Sequence, residues 1–212
     1  IMWVNYPHMP TGAPATIELY KKFVAFAKKH NILLVNDNPY SFILNDTPLS
    51  ILAVDGAKEV ALELNSLSKT FNMAGWRVGM LLGNPELIKT VLQVKSNMDS
   101  GMFFGIQQGA IVALNSSDDW YDKINATYAE RREIVWAILD KLNCTYDKNS
   151  GGMFVWAKLP EGTTTNECVD NLLYNKNIFI TPGNIFGSNG EGYIRLSLCV
   201  NENQLTQALE RL

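Results

Sequence analysis

Ser66-Leu67-Ser68-Lys69-Thr70-Phe71-Asn72-Met73-Ala74-Gly75-Trp76-Arg77-Val78-Gly79 is the stretch around which the chain is organised. One lysine sits among small hydroxyl residues, with the strand-like run Val60–Leu64 before it and the apolar run Val78–Leu82 after it. A lysine at the end of a buried strand loses solvent, and desolvation lowers an amine's pKa toward neutrality. A neutral amine can condense with a carbonyl to form a Schiff base. Arg77 adds a permanent cation eight positions on, and its planar fork suits a phosphate, to which Ser66 and Ser68 could also donate. The competing reading is a surface loop with one solvated lysine. A P-loop is excluded because Ser68 stands where that motif requires glycine, and Gly75 and Gly79 do not have the dinucleotide spacing.

Working outward, Ile1–Asn5 reads as a buried strand, followed by the turn-rich Tyr6–Gly12. Thr16 is placed to cap a helix whose Ile17, Tyr20, Phe23, Val24 and Ala27 share one face. Ile32–Val35 is a continuous apolar run, as a parallel strand covered on both faces requires. This is a strand–helix–strand unit. Asp37-Asn38-Pro39-Tyr40 follows at the strand's carboxyl end, where open α/β sheets place ligand chemistry. Asp37 is there either a turn former or a functional carboxylate. Asn84-Pro85 opens a helix with Leu87, Ile88, Val91 and Leu92 inward, and Ser100–Gly105 breaks it. That Met/Phe-rich loop is either core or a contact with a second subunit. Gln107–Leu114 reads as a short apolar helix, and Asp118-Asp119 opens a long one to about Leu142.

From Gly151 the pattern is that of a compact α+β module. Strands are expected at Gly152–Ala157, Ile178–Ile180 and Tyr193–Cys199, and helices at Thr165–Tyr174 and Glu202–Leu212. Alternation puts Arg195 on the face of Tyr193 and Ser197, opposite Ile194, Leu196 and Leu198. An arginine inside a strand meets a carboxylate, from the protein or from a ligand. The strand alone favours a structural salt bridge.

Composition bounds the function. Of 212 residues 47% are hydrophobic, enough for a core, and a net charge of -3 gives no electrostatic case for nucleic acid. No apolar run reaches membrane-spanning length. Three scattered cysteines, Cys144, Cys168 and Cys199, fit free thiols in a reducing compartment and hence a cytoplasmic location. The chain opens directly on a strand pattern, which is the expectation for the later part of something longer.

Four motifs, in order, resemble the class I/II aminotransferases of the fold-type-I pyridoxal-phosphate enzymes. They are Asn5-Tyr6-Pro7-His8-Met9-Pro10-Thr11-Gly12, Asp37-Asn38-Pro39-Tyr40, Ser66-Leu67-Ser68-Lys69 with Arg77, and Tyr193-Ile194-Arg195-Leu196-Ser197. Pro182-Gly183 with Phe186-Gly187 is a fifth landmark, and the resemblance covers essentially the whole chain. It implies an α/β fold: part of a large cofactor domain with a mainly parallel sheet over 1–118, then an interdomain helix and a small α+β domain over 119–212.

The resemblance also implies roles. Lys69 would hold pyridoxal phosphate as a Schiff base and shuttle a proton, Asp37 would pair with the pyridinium nitrogen, and Tyr40 would bond the ring 3-oxygen. Ser66 and Arg77 would bind the phosphate, Arg195 would clamp the substrate carboxylate, and no metal is called for. The substrates would be an amino acid and a 2-oxo acid, and the partner a second copy in a homodimer, with no nucleic acid and no membrane. The same residues would serve a C–S lyase or decarboxylase, or a non-enzymatic sensor domain. Two departures stand out. Met9 occupies the position where the family carries an asparagine that donates to the ring 3-oxygen. The family's glycine-containing phosphate loop and ring-stacking aromatic lie before residue 1, so these residues alone are expected to bind the cofactor weakly or not at all.

Overall fold

The computed structural model describes residues 1–212, which divide into two compact units. The first comprises Ile1–Pro7 and Pro14–Asp122, the second His8–Ala13 and Lys123–Leu212. The loop His8–Ala13 groups with the second unit. No helix is long and apolar enough to cross a membrane.

In the first unit β1 (Met2–Asn5), α1 (Ile17–His30) and β2 (Leu34–Asp37) form the strand–helix–strand unit, and β1 and β2 pair in parallel. Thr16 caps α1 by accepting from the Leu19 amide, and Asn31 ends it in the left-handed region at φ 51°. Glu18 in the first turn and Lys28, Lys29 and His30 in the last complement the helix dipole. Tyr20, Val24 and Ala27 are buried on one face and pack with Leu34, Ile51, Val54, Ala57 and Ala61. β3 (Ala61–Ser66) adds to β2 in parallel. A single helical turn, α2 (Leu67–Thr70), follows it, and β4 (Gly79–Gly83) returns antiparallel to β3. The sheet order is β1-β2-β3-β4, three parallel strands with one antiparallel edge.

A polar cluster fixes the β2–β3 register from inside this core. Glu63 is 3% exposed, and its Oε2 accepts from Asn36 Nδ2 and from the Ile51 amide, each at 3.0 Å. Asn36 Nδ2 also lies 3.2 Å from the Tyr20 hydroxyl, and burial and the Glu63 charge together push the Tyr20 phenol pKa up.

Two expectations for the first unit fail. Ile1–Asn5 is not buried: β1 is an edge strand, and Trp3 is 63% exposed. The inward face expected of α3 (Pro85–Met98) does not close either, for no residue of α3 is buried and Leu92 is 57% exposed. The amphipathic pattern is present, but β4 covers it only in part: Leu87 and Ile88 are half-buried, whereas Val91 and Leu92 stay exposed. α4 starts at Phe104 and ends at Leu114, earlier than expected, and only Ala110 in it is buried. Met102, Phe103 and Phe104 are exposed, so the loop before α4 is not core.

The helix α5 (Asp118–Lys141) begins in the first unit and continues in the second. There β5 (Thr145–Tyr146), β6 (Phe154–Lys158), β7 (Thr181–Pro182) and β8 (Tyr193–Ser197) form an antiparallel sheet in the order β5-β6-β8-β7. α6 (Thr165–Lys176) starts with a complete capping box between Thr164 and Glu167, and α7 (Glu202–Arg211) is capped by Asn201. Ile194, Leu196 and Leu198 are buried on the face that alternation assigned to them. Ile178–Ile180 is not a strand. The Ile178 amide bonds back to Leu172 O to close α6, which withdraws it from any ladder, and pairing begins at Thr181.

Because Glu63 leaves two buried donors without an acceptor when truncated, Glu63→Ala should lower unfolding free energy by about 2–5 kcal/mol. Glu63→Gln keeps an acceptor oxygen and should cost less than half as much. Denaturant titration of both variants checks this; equal losses would remove the cluster from the account of the register.

Candidate active site

The carboxyl ends of the parallel strands β2 and β3 lie side by side, and the candidate residues follow from that register. Asp37 is the last residue of β2 and pairs with Leu64; Ser66 is the last residue of β3. The segment after β2 is stitched to β3 by Asn38 N donating to Leu64 O at 2.8 Å and by Asn65 Nδ2 donating to Asn38 O at 3.0 Å. Asn5 Nδ2 donates to Asp37 O at 2.6 Å from the other side. Asp37 therefore lies within the strand, two residues beyond the Ile32–Val35 run expected to form it.

Asp37 keeps part of its surface accessible, yet surrounding protein raises its carboxyl pKa above the ordinary value through desolvation. A cation set against this carboxylate would be attracted strongly, because water screens it incompletely.

Lys69 stands on α2 rather than in an open loop. Ser66 caps that turn: its Oγ accepts from Ser68 N at 3.1 Å and reaches Val78 O at 3.5 Å. The Lys69 side chain is half-buried, and its Nζ lies 5.9 Å from the centroid of the buried Tyr40 ring, within cation–π range. The structure thus brings Lys69 and Tyr40 together and excludes the solvated-loop reading.

Arg77 is exposed at the end of a 3₁₀ turn, Ala74–Trp76, in the left-handed region at φ 57°. Its Nη1 donates to Ala74 O at 2.9 Å. A non-glycine residue there costs about 1 kcal/mol, a strain that collects at ligand-binding turns. Gly79 just beyond must be glycine, since a Cβ would meet Asn65 O at 2.9 Å and push β4 off β3 beside Ser66.

Arg195 lies in the second unit, in the middle of β8, opposite Trp156 on β6 and Thr181 on β7. Its guanidinium stacks over the rings of Phe154 at 4.1 Å and Phe186 at 4.7 Å, and Nη1 lies 3.4 Å from Met9 Sδ. Two aromatic rings against the guanidinium orient the fork and limit its hydration. Next to Met9, His8 Nδ1 is 2.7 Å from Thr11 Oγ1, and burial lowers the imidazole pKa.

The sequence did not single out Trp120 and Tyr121, at the opening of α5. Trp120 Nε1 donates to Thr70 O, the carbonyl directly after Lys69, at 2.8 Å. The signal was a Trp-Tyr pair just inside a helix start, since an indole N–H placed in a core needs an acceptor.

The family model for aminotransferase class I and II matches residues 1–212. LL-diaminopimelate aminotransferase of Aquifex aeolicus is 46% identical over the whole of this chain and 55% of its own length, and that of Dehalococcoides mccartyi is 42% identical over the same shares. The chain spans about half the length of the curated relatives it matches. Among solved structures, BacF of Bacillus subtilis superposes with TM-score 0.92 at 39% identity, covering 99% of this chain and 54% of that one. A probable N-succinyldiaminopimelate aminotransferase of Thermus thermophilus superposes with TM-score 0.91 at 31% identity, covering 99% and 56%.

The Asp37 shift gives a signed prediction. A carboxyl whose folded pKa is raised favours the fold while protonated, below its unfolded pKa, and loses that contribution as pH rises through the folded value. Asp37→Asn should therefore raise the thermal midpoint of the ligand-free protein at pH 7 relative to wild type, and the gain should vanish near pH 3. A midpoint difference independent of pH would contradict the assigned cause.

Proposed function

This chain belongs to the class I and II aminotransferases, and on that premise we propose that it serves a pyridoxal-phosphate-dependent transfer of an amino group between an amino acid and a 2-oxo acid. The single observation that carries the reading is the Lys69–Tyr40 pair at 5.9 Å, on the turn that follows β3 beside the Asp37 strand end. The donor set fits the cofactor by chemistry. It offers one amine, one under-solvated carboxylate suited to a protonated ring nitrogen, one phenol, and a hydroxyl with a guanidinium for a phosphate.

Bound there, pyridoxal phosphate supplies an aldehyde that amines condense with and a ring that accepts electrons. Lys69 provides the amine that holds it and, once deprotonated, takes and returns the proton at the substrate α-carbon. Asp37 holds the ring nitrogen in its protonated form. The Tyr40 hydroxyl donates to the ring oxygen, and Ser66 and Arg77 hold the phosphate. Arg195 binds the substrate carboxylate through its fork, which fixes the direction of the Cα–H bond. A C–S lyase or decarboxylase would use the same groups; release of pyruvate and ammonia without a 2-oxo acid acceptor would identify an elimination.

The names of the relatives make LL-diaminopimelate the first amino donor to test. The exposed apolar segment Met102–Phe104 supports a homodimer, the two compact units support a large and a small domain, and three free cysteines support a cytoplasmic location.

Borohydride reduction of the cofactor-loaded protein followed by peptide mapping should place the pyridoxyl group on Lys69, and Lys69→Ala should take up none. An adduct on any other lysine would overturn the proposal. Met9 brings a thioether to a position where an amide would donate. Met9→Asn should therefore shift the pH dependence of the loaded protein's near-ultraviolet and visible absorbance, and an unshifted profile would relieve Met9 of any tuning role.

A further inference from the structure

Two neighbouring residues at the start of α5 touch both segments that carry the Lys69–Tyr40 pair. Trp120 Nε1 donates to Thr70 O, and Thr70 is buried at 3% exposure, so no water replaces that donor readily. The Trp120 ring also stacks on Phe71, with centroids 6.4 Å apart and planes at 16°. Tyr121 meets Phe71 edge-on at 5.9 Å and Phe42 at 5.5 Å. Phe71 lies two residues after Lys69, and Phe42 two residues after Tyr40. One aromatic chain thus runs from the Tyr40 segment through Tyr121 to the Lys69 turn, where the indole N–H pins it.

Local structure cannot do this alone. α2 is one turn long, too short to persist by its own hydrogen bonds. Its start is capped by Ser66, and Leu67 O and Lys69 O accept from amides within the next few residues. Thr70 O instead takes a donor fifty positions away.

We propose that Trp120 and Tyr121 are positioning residues that set the separation of Lys69 from Tyr40, Trp120 by anchoring the carbonyl after the lysine and Tyr121 by wedging between Phe71 and Phe42. The assignment rests on the proposed role of Lys69, deepens it, and concerns this chain's own side chains.

The test is competitive acetylation of the full chain without cofactor, using acetic anhydride and peptide mapping. Lys69 labelling is read relative to Lys22, which is exposed on α1. Half-burial and the Tyr40 ring slow acylation of Lys69, so releasing the turn exposes the amine. Trp120→Phe, which keeps a ring but removes the donor, should raise the Lys69-to-Lys22 ratio about fivefold, the factor of one lost net hydrogen bond. Tyr121→Leu should raise it similarly, while Tyr121→Phe, which keeps the ring, should not. Leu139→Ala, a buried position on α5 in the second unit, controls for general loosening and should leave the ratio unchanged.

Wild-type ratios in folded Trp120→Phe and Tyr121→Leu would overturn the proposal, and so would an equal rise in Leu139→Ala. If Trp120→Phe does not fold, Tyr121→Leu decides. Borohydride mapping tests the identity of the cofactor lysine independently, so the labelling can fail while that mapping succeeds, and conversely.

Discussion

The hydrogen bonds that Glu63 accepts inside the first unit are the constraint on which its geometry rests. A carboxylate at 3% exposure needs donors, and Asn36 on the adjacent strand and the Ile51 amide supply them. Asn36 and Glu63 are register partners, so the pair forms in only one alignment of β2 with β3. A slip of one residue would turn Glu63 and Asn36 to the other face and leave their polar groups stranded. That single alignment puts Asp37 next to Leu64 and brings the strand end at Ser66 beside it. The turn carrying Lys69 then begins where β3 stops. The chemistry and the core are therefore fixed by the same interaction, from opposite ends of the same two strands.

The surface of the first unit carries a second physical message. Trp3, Leu92, Val94, Phe103, Phe104 and Val112 are all more than half exposed. Single exposed apolar residues are ordinary, but runs along a strand edge and two successive helices are what interaction surfaces look like. α4 shows it best: only Ala110 in it is buried, while Ile111, Val112 and Leu114 are exposed. This agrees with the proposed pairing of two copies.

The helix ends were the most legible features, since capping is chemistry between near neighbours. Thr16, Asn84 and Thr164 all accept from amides two or three residues on. The burial of Ile194, Leu196 and Leu198 was equally plain, because a strand alternates with a period of two. What misled was burial at an edge. Ile1–Val4 and the Leu87–Leu92 stripe have core composition, but composition states what a face needs and not whether a neighbour supplies it. Ile178–Ile180 misled for another reason: its first amide was already engaged in closing α6.

By itself the sequence determined the ordered motifs, the capped helix starts at Thr16 and Asn84, the strand–helix–strand succession and the residue types available for chemistry. All of these depend on contacts within a few positions along the chain. Only the tertiary structure decided that Lys69 stands on a capped turn against Tyr40, that Arg195 lies against two aromatic rings, and that Trp120 holds the carbonyl next to the lysine. Those arrangements join residues from nine to fifty positions apart. The energy that selects them is the burial and hydrogen bonding of the folded chain, and no local pattern records which distant partner will provide it.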